Sequence, residues 1–148
     1  MSDVYKKLTV IMADTYALYL KTQNYHWHVR GSNFKGLHQL FDEQYKELAA
    51  AVDLIAERIR TIGRRVPATF KEFESLKTIK DGNSTLGSNE MVAELAYDND
   101  TLVKDLSQAM ILAQDNHDEG TANLIADRIE AHEKARWMLD SSCEIEPK

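Results

Sequence analysis

The sequence of 148 residues contains little of what marks secreted, fibrous or membrane proteins. Because Cys143 is the single cysteine, no internal disulfide framework is possible, and a reducing cytoplasm is the expected location. Two prolines and six glycines exclude a collagen-like repeat and a Pro/Gly-rich disordered chain. No apolar run approaches the roughly 20 residues that cross a bilayer. Residues 1–20 also carry charges where a secretion signal would be apolar. A soluble protein with no membrane partner is expected.

Positive charge is also scarce in this chain. Eighteen Lys and Arg residues face 24 Asp and Glu residues, which gives a net charge of −6. This balance disfavours nonspecific attraction to nucleic acid and to anionic membranes, and it makes cations the more natural partners. The length fits one domain, residues 1–148, with a hydrophobic core of its own.

Apolar residues at helical spacing predict a first helical hairpin. The first helix is expected to run to about Val29, where a Gly-Ser-Asn break follows. Either Ser32 or Asn33 is expected to cap the second helix. That helix should end near Gly63, because a glycine readily adopts the left-handed conformation at a helix end.

Periodicity fails between residues 64 and 87, although Lys71 to Lys77 fit a short helix. A connection this long is expected to cross from one end of a helical bundle to the other. Two further helices are predicted, one from Ser88 to about Asp115 and one from a cap at Asp118 to Ser141. The predicted fold is all-α, a four-helix bundle with a long crossover.

The second helix carries a stripe of possible metal ligands, His38, Asp42, Asp53 and Glu57, within about 100° on a helical wheel. Fifteen residues separate His38 from Asp53, which is about 22 Å along the axis, so they cannot bind one ion together. The helix therefore carries two half-sites. An antiparallel copy across a two-fold axis would join one half-site to the other and create two equivalent sites.

His26, near the end of the first helix, is expected to turn back toward His38 and to add a second imidazole. Imidazole and carboxylate ligands without a thiolate suit Fe(II), Mn(II) or Zn(II), whereas calcium and magnesium prefer oxygen ligands. Iron is the expected metal. His28 points to a different side of the helix, so a surface or hydrogen-bonded role is expected for it.

The region from Tyr25 to Asp42, continued by residues 53–58, resembles the signature of the Dps family, the ferritin-like mini-ferritins. It combines a His-Trp pair, an Arg-Gly-x-x-Phe turn, a second histidine twelve residues after the first and an acid four residues later. An Asp-x-x-x-Glu-Arg motif follows at the expected distance. The resemblance extends over nearly the whole chain and implies a ferritin-like four-helix bundle.

The resemblance also implies a function. Dps proteins form hollow shells of twelve subunits that oxidise Fe(II), preferably with hydrogen peroxide, and store the ferric mineral inside. Their oxidation sites hold two irons at two-fold interfaces. Transferred to this sequence, His26 and His38 are ligands from one subunit, and Asp53 and Glu57 are ligands from the other. Asp42 is a ligand or lies directly behind the ligands, and Glu57 is the bridging or strongest ligand.

Two further features, a tryptophan and an acidic segment, each allow two interpretations. Trp27 resembles the electron-donating tryptophan of the family, but an aromatic residue at this position is also ordinary in a core. The acidic segment around the start of the last helix falls where the family lines its entry pores, with Asp118 and Asp127 as the chosen acids. Helix capping and solvation are the alternative for these acids.

The chain departs from DNA-condensing members of the family, which use a basic terminal tail. Only Lys6 and Lys7 stand near the start, and the segment from Ser141 to Lys148 is acidic. The basic cluster Arg58, Arg60, Arg64 and Arg65 is expected to be solvated or salt-bridged. Weak or absent DNA binding is therefore expected.

Three other functions compete with iron oxidation. A DNA-condensing protein would need the missing basic tail. A larger ferritin with a di-iron site inside one bundle would need Glu-x-x-His motifs, and the sequence contains none. A metal-free helical scaffold would make the stripe of histidines and acids a coincidence.

Overall fold

Four long helices and one short helix form the computed structural model, which describes residues 2–143. Their bounds are α1 Ser2–His28, α2 Phe34–Thr61, α3 Phe70–Leu76, α4 Ser88–Asp115 and α5 Glu119–Ser141. Across these described residues no strand occurs, and each helix is too short or too polar to cross a bilayer. The predicted all-α fold with a short helix in a long crossover is confirmed.

The helices pair as two hairpins, α1 with α2 and α4 with α5, and α1 joins the hairpins by packing on α4. The apolar stripes predicted from the sequence face inward in all four long helices. Burying each large side chain contributes about 1.5–3 kcal/mol, so these stripes hold the bundle together. Fully buried members of the core are Leu8, Ile11, Leu18, Tyr25, Phe41, Ile55, Ile59, Leu95, Leu102, Leu106 and Ile125.

The crossover between α2 and α4 runs along α1 from its start to its end. Tyr5, in the first turn of α1, donates its hydroxyl to the Arg65 carbonyl at 3.1 Å. At the other end of α1, the Tyr25 hydroxyl accepts from the Asn83 amide at 3.0 Å. The crossover therefore carries the chain from one end of the bundle to the other, as predicted, and α3 packs on α1 along the way.

Asp14 fixes the middle of this crossover. Its buried carboxylate accepts from the Thr78 amide at 2.7 Å, the Thr78 hydroxyl at 2.7 Å and the Ile79 amide at 3.0 Å. Three hydrogen bonds offset the cost of removing this charge from water. In the sequence Asp14 only interrupts an apolar stripe, whereas in the fold it attaches the crossover to α1.

Three of the four features predicted for the helix ends are observed in the structure. Gly63 has a φ of +86°, and its amide donates to the Arg60 carbonyl at 2.9 Å. Asp118 accepts from the Thr121 amide and caps α5, and α4 begins at Ser88. Asn33 occupies the cap position of α2, but its side chain makes no capping hydrogen bond, so capping by Asn33 is wrong.

A buried polar network joins α2, α4 and α5. Arg128 forms an ion pair with Glu47, and its second terminal nitrogen donates to His132 Nε2 at 3.0 Å. His132 Nδ1 then donates to the Asn99 side-chain oxygen at 2.8 Å. The imidazole is thus held neutral with both nitrogens paired. Burial first, and the nearby guanidinium second, lower the pKa of His132 from 6.5 to about 3.

This histidine makes the fold sensitive to acid. Below about pH 6.5 the unfolded chain binds a proton at His132 that the folded chain excludes, so the free energy of unfolding falls as the pH falls toward 3. We expect His132→Gln to remove up to about 1.4 kcal/mol per pH unit of this dependence. Urea unfolding between pH 7 and pH 4 measures the difference between the two proteins, and parallel pH profiles would contradict the assignment.

Candidate metal centre

The end of α1 and the start of α2 place two imidazole rings face to face. The His26 and His38 ring centres lie 3.9 Å apart, with 13° between the planes. Each ring is tied to the backbone of the other, because His26 Nδ1 donates to the His38 carbonyl and His38 Nδ1 donates to the His26 carbonyl, both at 2.7 Å. A carbonyl oxygen only accepts, so Nδ1 carries the proton in each ring. The lone pair of each neutral imidazole is consequently on Nε2, the nitrogen left for a metal.

Aromatic side chains hold the two imidazoles in place. Phe34, the first residue of α2, stacks on His38 with 5.0 Å between ring centres. The Tyr45 ring centre lies 5.3 Å from that of His26. His26 is buried and His38 half-buried. Both imidazoles are therefore oriented before any ion binds.

Asp42 brings a carboxylate to the same place. One of its oxygens lies 3.9 Å from His26 Nε2, which is shorter than the sum of two metal–ligand bonds of about 2.1 Å. Its second oxygen accepts from Lys46 Nζ at 3.0 Å. The hydrogen bond from Lys46 is the main cause that lowers the pKa of Asp42, so the carboxylate is charged at neutral pH. Within one chain Asp42 thus lies beside His26, and His38 stacks on the same imidazole.

Asp53 and Glu57 lie on α2 but far from the imidazoles. Both are exposed, and α2 is an uninterrupted helix, so the fifteen residues from His38 to Asp53 span about 22 Å. Within residues 2–143, no group of three or more His, Cys, Asp or Glu side chains of one chain is arranged to hold a metal ion. One chain therefore presents the predicted ligands as two separated sets.

The two other residues of the His-Trp-His run have different surroundings. Trp27 is 60% exposed, so the interpretation of Trp27 as a core residue is wrong for the single chain. His28 is exposed, and its Nδ1 donates to the Asn24 carbonyl at 2.9 Å. This hydrogen-bonded surface position is the one predicted for it.

The acids at the start of α5 separate into two kinds. Asp118 caps the helix and also accepts from Arg58 at 2.8 Å, which leaves its side chain only 9% exposed. Asp127 is exposed and remains open to solvent in the single chain. Gly120 makes the Arg58 contact possible, because a Cβ atom there would lie 2.7 Å from a guanidinium nitrogen. The sequence did not reveal this pair, since sixty residues separate its members.

Phe34 and Lys46 were also missed as parts of the site. A signal for each was present in the sequence, because both stand four residues from a predicted ligand on the same helix, Phe34 from His38 and Lys46 from Asp42. Phenylalanine and lysine do not bind metals in such sites, so a search of the sequence for ligands alone does not find them. They contact the ligands without being ligands themselves.

Comparison with known proteins identifies the family to which this fold belongs. Residues 5–145 match the family described as Ferritin-like domain, which defines the chain as a ferritin-like protein. The structure of Dps from Staphylococcus aureus superimposes with a TM-score of 0.94 at 31% identity and covers 99% of this chain and 98% of that chain. DNA protection during starvation protein 2 of Bacillus anthracis is 35% identical over 137 residues, 93% of this chain and 94% of that protein.

A third structure extends the comparison. Dps from Vibrio cholerae O1, described as a member of a broad superfamily of ferritin-like diiron-carboxylate proteins, has a TM-score of 0.91 at 29% identity. It covers 95% of this chain and 88% of that chain. The chain belongs to the Dps family. The predicted ferritin-like fold and the predicted family are both confirmed.

The stacking of Phe34 on His38 predicts a supporting role at the metal centre. We expect Phe34→Ala to weaken Co(II) binding by about two- to ten-fold, because an aromatic pair contributes about 0.5–1.5 kcal/mol to holding the ring. Phe70→Ala is the matched control, since Phe70 also begins a helix and is 83% exposed. Calorimetric titration of the metal-free proteins measures both affinities. Equal losses in the two variants would contradict a specific role for Phe34.

Proposed function

We propose that the protein is a ferroxidase and an iron-storage and detoxification protein. It oxidises Fe(II), preferably with hydrogen peroxide, at two-iron sites shared between subunits, and it keeps the ferric mineral inside a hollow shell of twelve copies. The ligands are His26, His38 and Asp42 of one subunit with Asp53 and Glu57 of another. The description of the Vibrio cholerae relative as a diiron-carboxylate protein supports this assignment.

One observation carries the proposal. Two imidazoles are stacked with their Nδ1 protons fixed and their Nε2 atoms left for a metal, next to a carboxylate 3.9 Å away. Imidazole and carboxylate ligands suit Fe(II), and the groups of one chain alone do not complete a site. Asp53 and Glu57 supply the missing carboxylates only from a second copy, because about 22 Å separates them from His38 in their own chain.

Exposed apolar side chains support a second copy on this side of the subunit. Trp27 follows His26 directly, Phe34 stacks on His38, and Leu54 follows Asp53; their exposed fractions are 60%, 43% and 55%. Large apolar side chains next to each set of ligands are typical of a surface that a partner covers. A two-fold axis would place the imidazole set of each subunit opposite the Asp53 and Glu57 set of the other, which gives two equivalent sites.

The paired arrangement suits the chemistry of peroxide. Two Fe(II) ions each give one electron to one H2O2, the O–O bond breaks, and two protons complete two water molecules. Because both electrons come from the pair, no hydroxyl radical is released. The two carboxylates of Asp53 and Glu57 compensate the rising charge as Fe(II) becomes Fe(III), and Glu57 is proposed to bridge the ions. Trp27, next to His26, is proposed to supply an electron when only one iron is bound.

Iron must also reach the site and the interior of the shell. The exposed carboxylate of Asp127 on α5 is proposed to line an entry pore for cations. Asp118 is proposed to shape the same entry through its bonds to Arg58 and to the start of α5. The bacterial cytoplasm is the proposed location of this protection against oxidative damage, in line with the bacterial relatives and the single cysteine.

A site with ligands from two subunits should be restored in part when two inactive variants are mixed. We expect His38→Ala and Asp53→Ala each to abolish fast Fe(II) oxidation, because each removes one ligand from every site. Shells reassembled from equal amounts of the two variants should recover about a quarter of the sites, since half of the two-fold pairs are mixed and each mixed pair keeps one complete site. Stopped-flow absorbance with H2O2 measures the recovery.

The same preparations provide the controls. Native mass spectrometry of the parent protein should give about 200 kDa, twelve times 16.9 kDa, with bound iron. Both variants should assemble to the same mass, because the two side chains lie outside the core. Absence of recovery in mixed shells of the correct mass would contradict the shared site, and a metal-free monomer would contradict the whole proposal.

Condensation of DNA is the second function to test, because the Bacillus anthracis relative is named for DNA protection. The basic cluster in the described part of the chain gives DNA condensation little support. Arg58 is paired with Asp118, Arg60 donates to the Arg64 carbonyl at 2.8 Å, and the Arg64 guanidinium lies over the Tyr5 ring. The acidic tail used in the sequence argument falls mainly on residues 144–148, which lie outside the described residues.

We expect weak or no DNA binding at physiological salt. The arginines already make contacts within the chain and would neutralise few phosphates. Any complex should therefore dissociate as the salt concentration rises. A mobility-shift titration of plasmid DNA with assembled shells measures this. Tight binding that falls steeply between 50 and 200 mM salt, as for a protein with several phosphate contacts, would show that the prediction is wrong.

A further inference from the structure

The Asp42 carboxylate is shared between the imidazole pair and a lysine. Its two oxygens face different groups, one toward His26 Nε2 at 3.9 Å and one toward Lys46 Nζ at 3.0 Å. Lys46 stands one helical turn after Asp42, and its side chain is 64% exposed. The carboxylate is 30% exposed, so the lysine covers part of the only oxygen that points away from the imidazoles.

We propose that Lys46 is a tethered counter-ion of the metal centre, which competes with the incoming iron for Asp42 and keeps iron binding there weak and reversible. This inference rests on the proposed function, because it takes Asp42 as a residue that faces iron. Lys46 is a positioning residue in this role. It contacts a ligand, and it does not contact the iron.

The physical basis is the charge of the ammonium group. With no iron present, Lys46 neutralises a carboxylate that would otherwise stand unpaired beside two imidazoles, and the empty centre is stabilised. A divalent ion about 6 Å from an ammonium group is bound about ten-fold more weakly than without it, even at the dielectric constant of water. The lysine has a long flexible side chain and is able to move into solvent when iron arrives, which makes the competition reversible.

The competition has a consequence for turnover. Fe(III) carries one more charge than Fe(II), so repulsion by the ammonium group rises when the iron is oxidised. An ion that has reacted is therefore held less firmly at Asp42 than the carboxylate alone would hold it. Lys46 would favour departure of the ferric product toward the mineral and return to Asp42 afterwards.

The test compares metal affinity in the absence of oxidation. Co(II) is titrated anaerobically into assembled, metal-free shells, and its visible absorption reports occupancy of the centre. We expect Lys46→Met to bind Co(II) about ten-fold more tightly than the parent, and Lys46→Arg, which keeps the charge, to bind like the parent. The excess affinity of Lys46→Met should shrink as salt is added, because the effect is electrostatic.

Lys104→Met is the matched control. Lys104 also pairs with an aspartate one turn earlier on an exposed helix face, with 3.7 Å between its Nζ and Asp100. Its removal should leave Co(II) affinity unchanged. If Lys46→Met binds Co(II) as the parent does, the inference is overturned while the proposed function stands.

His38→Ala separates the two hypotheses. Loss of Co(II) binding in this variant shows that the metal occupies the imidazole centre, and the Lys46 comparison then decides the inference. If His38→Ala binds Co(II) as the parent does, the proposed function fails and the role of Lys46 fails with it. Thermal unfolding of metal-free Lys46→Met detects a merely structural effect, since a change in stability without a salt-dependent change in affinity also overturns the inference.

Discussion

The two reciprocal hydrogen bonds between His26 and His38 are the constraint on which the candidate site depends. Each imidazole binds the backbone carbonyl of the other, so the last turn of α1 and the first turn of α2 are held together by the same groups that face the metal. This pair of contacts fixes the tautomer of both rings and, together with Phe34 and Tyr45, their orientation. The hydrogen bonds that join the two helix ends are therefore the same bonds that orient the candidate ligands.

Around this pair, the bundle keeps its apolar core and its candidate ligands on different helix faces. The core stripes of α1 and α2 face inward, while the ligands occupy an adjacent face of the same helices. The polar groups that must be buried are satisfied elsewhere, Asp14 by the crossover and His132 by Arg128 and Asn99. These polar contacts add to the apolar core of all four long helices, and the exposed face of α2 is left available for chemistry.

The sequence predicted the periodic features well and the long-range polar contacts poorly. Helix limits at Ser88 and Gly63 followed from local rules of capping and glycine conformation, and the separation of His38 from Asp53 followed from the rise of a helix. The roles of Asp14 and Arg58 did not follow, because their partners stand sixty or more residues away. The absent cap at Asn33 shows the limit of local rules. Residue type favoured a side-chain bond, but the turn at residues 31–34 is closed by a backbone bond from Phe34 to Gly31.

Gly120 shows how a side-chain contact, rather than backbone conformation, can favour glycine. Its backbone has no left-handed φ, and a glycine in such a conformation is ordinarily replaceable by alanine. Here the missing Cβ is the space in which the Arg58 guanidinium lies. A single added methyl group would displace that side chain from Asp118 and Thr121, and Arg58 directly follows Glu57. A substitution at the start of α5 would therefore act on the side-chain contact that joins α5 to the end of α2, although no candidate metal ligand is altered.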